Sequence, residues 1–181
     1  MDNEHGNRMR ILQLFFAFAV AWPVPGWCDG SILHKIPAEQ MEEGCDLEFR
    51  ALPDGEPAIG QSNHSVNLRW MCESQIPRVI DNYEIEGSSP DIVTVFYRRR
   101  QDVIVLVKWS TNSWASDLQG DYYKIYVYRY TQKNPSKPFM PQLDIMRKLG
   151  EGWGSMIGKK QVHYPYKDAA SIRSALDKLG Y

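Results

Sequence analysis

The chain has 181 residues, of which 21 are basic and 22 acidic, giving a formal net charge of −1 at pH 7. A hydrophobic content of 43% excludes a largely disordered chain, and the length fits a single domain. The lack of a basic excess argues against a nucleic-acid-binding protein.

An apolar run from Ile11 to Trp22 lies near the N-terminus and is preceded by Arg8 and Arg10. The run is too short to span a bilayer, which takes about 20 residues, but it is typical of the hydrophobic region of a signal peptide. Pro23 and Pro25 follow it directly and would end a helix. The sequence therefore predicts a signal peptide over residues 1–28.

Small residues offer two cleavage positions, after Gly26 or after Cys28, and translation could start at Met1 or at Met9. Removal of the leader leaves residues 29–181 as a single α+β domain with no stable membrane anchor. We expect this domain to be periplasmic or secreted. Its two cysteines, Cys45 and Cys72, are then predicted to form a disulfide bond.

Two segments of alternating hydrophobicity, residues 45–52 and 65–72, are predicted to be strands. An antiparallel register that places Leu47 opposite Trp70 also places Phe49 opposite Leu68 and Cys45 opposite Cys72. Directly opposed residues in such a pair are about 4.5–5.5 Å apart, within reach of a disulfide.

A weaker strand is expected over residues 77–87, and a strong hairpin over residues 91–109. With a short turn at Arg100-Gln101, Arg99 would face Asp102 and Val95 would face Leu106. Both faces of this hairpin are apolar in the middle, so its strands are expected to be covered on both sides.

Residues 121–131 carry five tyrosines and are predicted to be a strand, with Tyr122, Tyr126, Tyr128 and Tyr130 on one face. Two interpretations of this aromatic face are open. Either the C-terminal helices cover it, since a tyrosine ring can be buried while its hydroxyl reaches water, or it is an exposed surface for a partner.

Two C-terminal segments have helical patterns. Residues 142–150 place Leu143, Met146 and Leu149 on one face, and the last segment runs from an N-cap at Asp168 to Gly180. The glycine-rich stretch between them, residues 151–166, is expected to be irregular. The predicted fold class is α+β: an antiparallel β-meander of about six strands with two C-terminal helices packed on one face and one disulfide.

No catalytic, cofactor or metal motif occurs in the sequence. The histidines at 34, 64 and 163 lack zinc-ligand spacing, and neither a nucleophile motif nor a phosphate-binding loop has the required spacing. We therefore expect a protein that is not an enzyme and holds no cofactor or metal. The alternative is a periplasmic cell-wall hydrolase that uses the loop carboxylates Asp117 or Asp121.

In its size, leader and aromatic-rich strands, the chain is similar to the small exported single-disulfide proteins of Gram-negative bacteria, many of which neutralise a toxin or inhibit an enzyme. This resemblance implies an immunity or inhibitor protein that docks an aromatic and basic face onto another protein. A structural component of a surface or secretion assembly is a further alternative. The predicted partner-binding residues are Trp109, Trp114, Tyr126 and Tyr128 as anchors and Arg98, Arg99 and Arg100 as steering charges.

Overall fold

The computed structural model describes residues 30–53, 63–73, 75–113, 118–157 and 160–181, so the predicted leader, residues 1–28, lies outside the described part. The described residues form ten strands and two helices. In chain order these are β1 (Ile32–Pro37), β2 (Cys45–Pro53), β3 (His64–Cys72), β4 (Arg78–Tyr83), β5 (Pro90–Arg98), β6 (Asp102–Ser113), β7 (Leu118–Tyr130), β8 (Phe139–Pro141), α1 (Leu143–Leu149), β9 (Glu151–Ile157), β10 (Lys160–Val162) and α2 (Ala169–Lys178).

The strands form two antiparallel sheets. A small sheet has the order β1-β2-β3-β4, and a large sheet has the order β10-β9-β7-β6-β5, with β8 beside β7. The two sheets pack face to face, and the helices lie on the other face of the large sheet. The α+β antiparallel class, the C-terminal helices and the disulfide are confirmed, whereas the strands are more numerous than predicted and form two sheets.

The predicted pairing of β2 with β3 is confirmed residue by residue. Cys45 faces Cys72, Leu47 faces Trp70 and Phe49 faces Leu68. The two cysteines form a disulfide with Cα atoms 4.2 Å apart. The apolar pattern and the cysteine positions select the same register because a one-residue shift would turn every side chain to the other face.

The predicted register of the β5–β6 hairpin is wrong by one residue. Arg98, not Arg99, faces Asp102, and Val95 faces Val105. The turn contains three residues, 99–101, instead of the two expected, and Arg99 and Arg100 in it have positive φ, 52° and 58°. The prediction that both faces are covered is confirmed for β6, whose residues 103–106 are fully buried.

The interpretation that the helices cover the tyrosine strand is wrong. Tyr128 and Tyr130 are buried between the two sheets, in the same cluster as Phe49 and Trp70. The helices lie on the opposite face of β7, where Ile125 packs in a cluster with residues of α2. The small sheet, which the sequence did not reveal as a separate layer, covers these tyrosines.

The glycine-rich stretch is a hairpin, β9–β10, rather than an irregular loop. On the helix side of β9, a Cβ atom at Gly152 would meet the Tyr164 ring, and one at Gly154 would clash with Lys167. These glycines therefore allow the segment before α2 to pack closely on the strand. In α2 the predicted N-cap is confirmed, since the Asp168 carboxylate accepts a hydrogen bond of 2.7 Å from the Ser171 amide.

Candidate functional site

The small sheet ends at β4, and at this side of the sandwich the large sheet extends beyond it. β4 crosses β7, with the Tyr83 ring centroid 4.7 Å from that of Tyr126. Just after β4, the Glu84 carbonyl accepts a hydrogen bond of 2.9 Å from the Trp109 indole on β6. We call the resulting surface the open side. It comprises β4, β8 and the adjacent residues Tyr122, Lys124, Tyr126, Glu151 and Trp153.

Two adjoining cavities lie at β4 on the open side, one along the strand and one at its start. The smaller has a volume of about 180 Å³ and extends along Arg78–Asp81, with Tyr128 and Phe139 in its wall. The larger has a volume of about 240 Å³ and is lined by Glu42, Trp70 and Tyr130 among others. Arg78 and Pro138 line both cavities and so stand between them.

One exposed apolar side chain, that of Val79, lines the smaller cavity, and others lie on neighbouring elements. Val79 on β4 is 61% exposed, Ile76 just before it 85%, Leu143 at the start of α1 61% and Met140 on β8 45%. Met140 follows the buried Phe139 and pairs with Arg129, so its side chain points to the helix side of the large sheet, where α1 and Leu143 also lie. Val79 and Ile76 are therefore the exposed apolar residues at β4, and exposed apolar surface rimmed by polar groups is a mark of an interaction site.

A hydrogen-bond network fixes β4 against β7 at the base of the smaller cavity. The Tyr128 hydroxyl donates to the Asp81 carboxylate at 2.5 Å, and the main-chain amide of Asn82 donates to the same carboxylate at 2.8 Å. The Tyr83 hydroxyl lies 3.2 Å from that of Tyr128. Burial raises the pKa of both tyrosines well above the ordinary value, so both hydroxyls stay neutral and act as hydrogen-bond groups.

The larger cavity also contains a tyrosine hydroxyl bonded to a carboxylate. The Tyr130 hydroxyl donates to the Glu42 carboxylate, and the Arg78 guanidinium donates to the carbonyl of Pro135. Lys137 lines the smaller cavity. The cations at the two cavities, Arg78 and Lys137, therefore match the two carboxylates, Glu42 and Asp81, in number.

Beyond β4, the face of the large sheet presents half-buried aromatic rings. The Tyr122 and Trp153 centroids are 5.2 Å apart, and the Lys124 ammonium lies 5.6 Å from the Tyr126 ring. Lys124 also pairs with Glu151 at 3.1 Å. Burial and a hydrogen bond with Glu151 raise the pKa of Tyr122 to about 12. Burial alone would raise the pKa of Glu151, but its bonds to Lys124 and Tyr122 outweigh burial and lower it.

The predicted aromatic anchors lie mostly inside the molecule. Trp109 and Tyr128 are each only 1% exposed, so neither presents a surface to a partner in this conformation. Tyr126 is half-buried at the open side, and Trp114 lies outside the described residues. Trp109 and Tyr128 instead pack between the two sheets. Of the three predicted anchors that the structure describes, Tyr126 is the one at the surface of the candidate site.

Two of the three predicted steering arginines hold the end of the chain. Arg98 donates to the main-chain oxygen of Tyr181 and pairs with Asp177 at 2.7 Å. The Arg99 guanidinium lies 5.4 Å from the Tyr181 ring. Arg100 is exposed in the turn. A role in steering a partner remains a prediction for all three arginines. At Arg98 and Arg99, the same guanidinium groups already make contacts within the molecule.

Of the two loop carboxylates that the sequence suggested for catalysis, the structure describes Asp121. The Asp121 carboxylate accepts hydrogen bonds from Ser110 at 2.7 Å and Tyr123 at 3.2 Å, while Asp117 lies outside the described residues. Glu42 approaches the sulfurs of Cys45 and Cys72 within 4.8 Å. Because these sulfurs are bonded to each other, they do not offer thiolate ligands to a metal.

Sequence reasoning missed the exposed apolar residues Ile76, Val79, Met140 and Leu143. Met140 lies in a proline-rich segment predicted only as a break, and Val79 in a strand predicted as weak. Pro77, directly before the weak strand, was the available signal, since proline within a sheet is confined to edge strands and strand ends.

Neither a protein-family model nor a curated protein nor a solved structure matches this chain. Within the described ranges, every helix is too short or too polar to cross a membrane.

Proposed function

We propose that the chain is an exported, non-enzymatic protein-binding domain that docks a partner protein at its open side. The expected partner is a toxin or an enzyme that the domain neutralises. Export is supported by the disulfide between Cys45 and Cys72, because such bonds persist mainly in oxidising compartments.

The observation that carries the proposal is the exposed Val79 on β4, the last strand of the small sheet, beside the cavity lined by Tyr128 and Phe139. Protein interfaces place such residues at the centre and polar groups at the rim. The open side has groups of both kinds, since Val79 and the half-buried rings of Tyr122 and Tyr126 are accompanied by Lys124, Glu151 and Lys137. A standard interface would bury about 800 Å² on each partner.

The test compares two exposed valines on strands at the edges of the sheets. Val79 lies on β4 at the open side, and Val93, 39% exposed, lies on β5 at the far edge of the large sheet. Each is replaced by lysine, which natural edge strands carry without loss of folding. The tagged variants are expressed with the leader in the cells from which the chain comes, crosslinked, and the captured proteins are identified by mass spectrometry.

We expect the native chain and Val93→Lys to capture the same partner in equal yield. Val79→Lys should weaken the purified complex by about tenfold or more, because a charge would be buried at the interface. Equal melting temperatures of the two variants provide the control for folding. Equal partner binding by Val79→Lys and the native chain would contradict the proposed site.

A further inference from the structure

We propose that the partner binds the open side as an extended segment that pairs with the outer edge of β4 and adds a fifth strand to the small sheet. This inference rests on the proposed function and specifies how the same surface recognises its partner. The segment it predicts is uncharged in its centre and carries apolar side chains at alternate positions.

The first argument is the unequal extent of the two sheets. β4 is the last strand of the small sheet and crosses β7, whereas the large sheet continues to β9 and β10. The half-buried rings of Tyr122, Tyr126 and Trp153 lie next to that boundary. A strand added to β4 would lie about 4.7–4.9 Å from it, over the adjacent part of the large sheet. The partner would thus continue the sandwich where the small sheet ends.

The second argument is the free edge of β4. Among the described residues, β4 pairs only with β3, so its other edge presents main-chain groups for pairing. The strand contains neither lysine nor proline, the residues that commonly protect an edge, and Val79 is exposed on it. A register shift at Ile80 interrupts the regular strand, and we therefore expect a short segment rather than a long one.

The third argument is the placement of the two cavities, one along β4 and the other at its start. They adjoin at Arg78 and Pro138, one toward Gln75 and the other toward Asp81. In an extended segment, side chains two residues apart point to the same side and lie about 6.6–6.8 Å from each other. Two such side chains of one segment could enter the two cavities, where Trp70 and Phe139 provide apolar contacts.

The fourth argument is the charge of the cavity walls. The carboxylates of Glu42 and Asp81 each accept a hydrogen bond from a tyrosine hydroxyl, and Arg78 donates to a carbonyl. Because the two cations, Arg78 and Lys137, balance the two carboxylates, the cavity walls do not favour a ligand of either charge. Strand addition takes its affinity from main-chain hydrogen bonds and its specificity from pockets for alternate side chains, which is what this surface offers.

The test uses peptides displayed on phage, of random sequence and about eight residues long, an ordinary strand length. Peptides are selected on the native chain, and those that also bind Val79→Lys are removed. We expect the enriched sequences to carry apolar residues at positions i and i+2. One enriched peptide is then synthesised with single N-methyl groups at successive amides.

Only every second amide of an added strand faces β4. N-methylation at those amides should weaken binding by about tenfold or more, and N-methylation at the intervening amides should change it by less than about twofold. In hydrogen exchange, the amides of β4 should gain protection when the peptide binds. Val93→Lys, as the matched control, should bind the peptide as the native chain does.

Apolar residues at helical spacing in the selected peptides, or equal effects of all N-methyl groups, would overturn strand addition. If strand addition were overturned in this way but Val79→Lys still failed to capture the partner protein, the open side would remain the proposed binding site, with a different mode of binding. A native chain that sediments as a dimer while Val79→Lys sediments as a monomer would identify a second copy as the occupant and overturn the proposed partner.

Discussion

Replacing Arg129 by methionine should destabilise the protein far more than its surface position suggests. Its guanidinium donates to both carboxylate oxygens of Asp102, at 2.8 and 3.1 Å. The Asp102 side chain is completely buried, whereas that of Arg129 is 36% exposed. Methionine retains the apolar part of the arginine side chain and removes the charge, so the substitution isolates the loss of the ion pair.

The expected cost follows from what Asp102 retains. Removal of one partner from a buried pair costs about 3–5 kcal/mol because the other charge stays buried without compensation. A hydrogen bond between Asp102 and the Tyr181 hydroxyl remains, and water reaches the exposed part of the arginine site. We therefore expect the lower end of that range, about 3 kcal/mol, a large share of the roughly 5–15 kcal/mol that stabilises a typical domain.

Urea unfolding followed by circular dichroism measures this cost, and the pair Lys108–Asp91 provides the control. It also joins two strands of the large sheet, at 3.2 Å, but neither side chain is buried, since Lys108 is 25% and Asp91 62% exposed. Lys108→Met should therefore cost less than about 1 kcal/mol. The double variant Asp102→Leu/Arg129→Met should recover most of the lost stability. If Arg129→Met cost no more than Lys108→Met, the reasoning about the buried carboxylate would be refuted.

Three further predictions concern the disulfide, the arginine turn and the tyrosines. The double variant Cys45→Ala/Cys72→Ala should lose about 3–4 kcal/mol in urea unfolding, because the bond closes a loop with a separation of 27 residues; an unchanged midpoint would contradict this. Arg100→Gly should raise the free energy of unfolding by up to about 1 kcal/mol, since Arg100 has a φ of 58°, and a loss of stability would show that its side chain makes a stabilising contact. Burial raises the pKa of Tyr97 and of Tyr122 to about 12 from 10, so ionisation favours the unfolded chain and stability should fall between pH 10 and 12; tyrosinate absorbance that rises well before unfolding would count against this.

The local fold was largely predictable where one register satisfied several constraints at once. In β2 and β3, the cysteines and the apolar residues demand the same pairing, and the structure has it. Asp168 likewise combines N-cap chemistry with the start of an apolar stripe. The β5–β6 register was not fixed in this way, because both faces are apolar and an alternation pattern cannot then distinguish neighbouring registers.

The arrangement of the layers was not predictable by the same reasoning. Hydrophobic alternation in β2 and β3 shows that one face is buried, but it does not say which element covers that face. The tyrosines of β7 were compatible with cover by helices, by a second sheet or by a partner. Their actual cover, the small sheet, follows from long-range packing of Trp70 and Phe49 that no local pattern encodes.

The tyrosines of β7 contribute both to the core between the sheets and to the candidate site. Their rings fill the seam between the sheets, while the hydroxyls of Tyr128 and Tyr130 bond to carboxylates outside the large sheet, Asp81 and Glu42. These bonds hold β4 and the turn after β1 in place, and the same side chains line the two cavities. Substitution of these tyrosines would therefore alter folding and binding together. Exposed residues such as Val79 separate the two effects, because they contribute little to the core and lie where a partner would make contact.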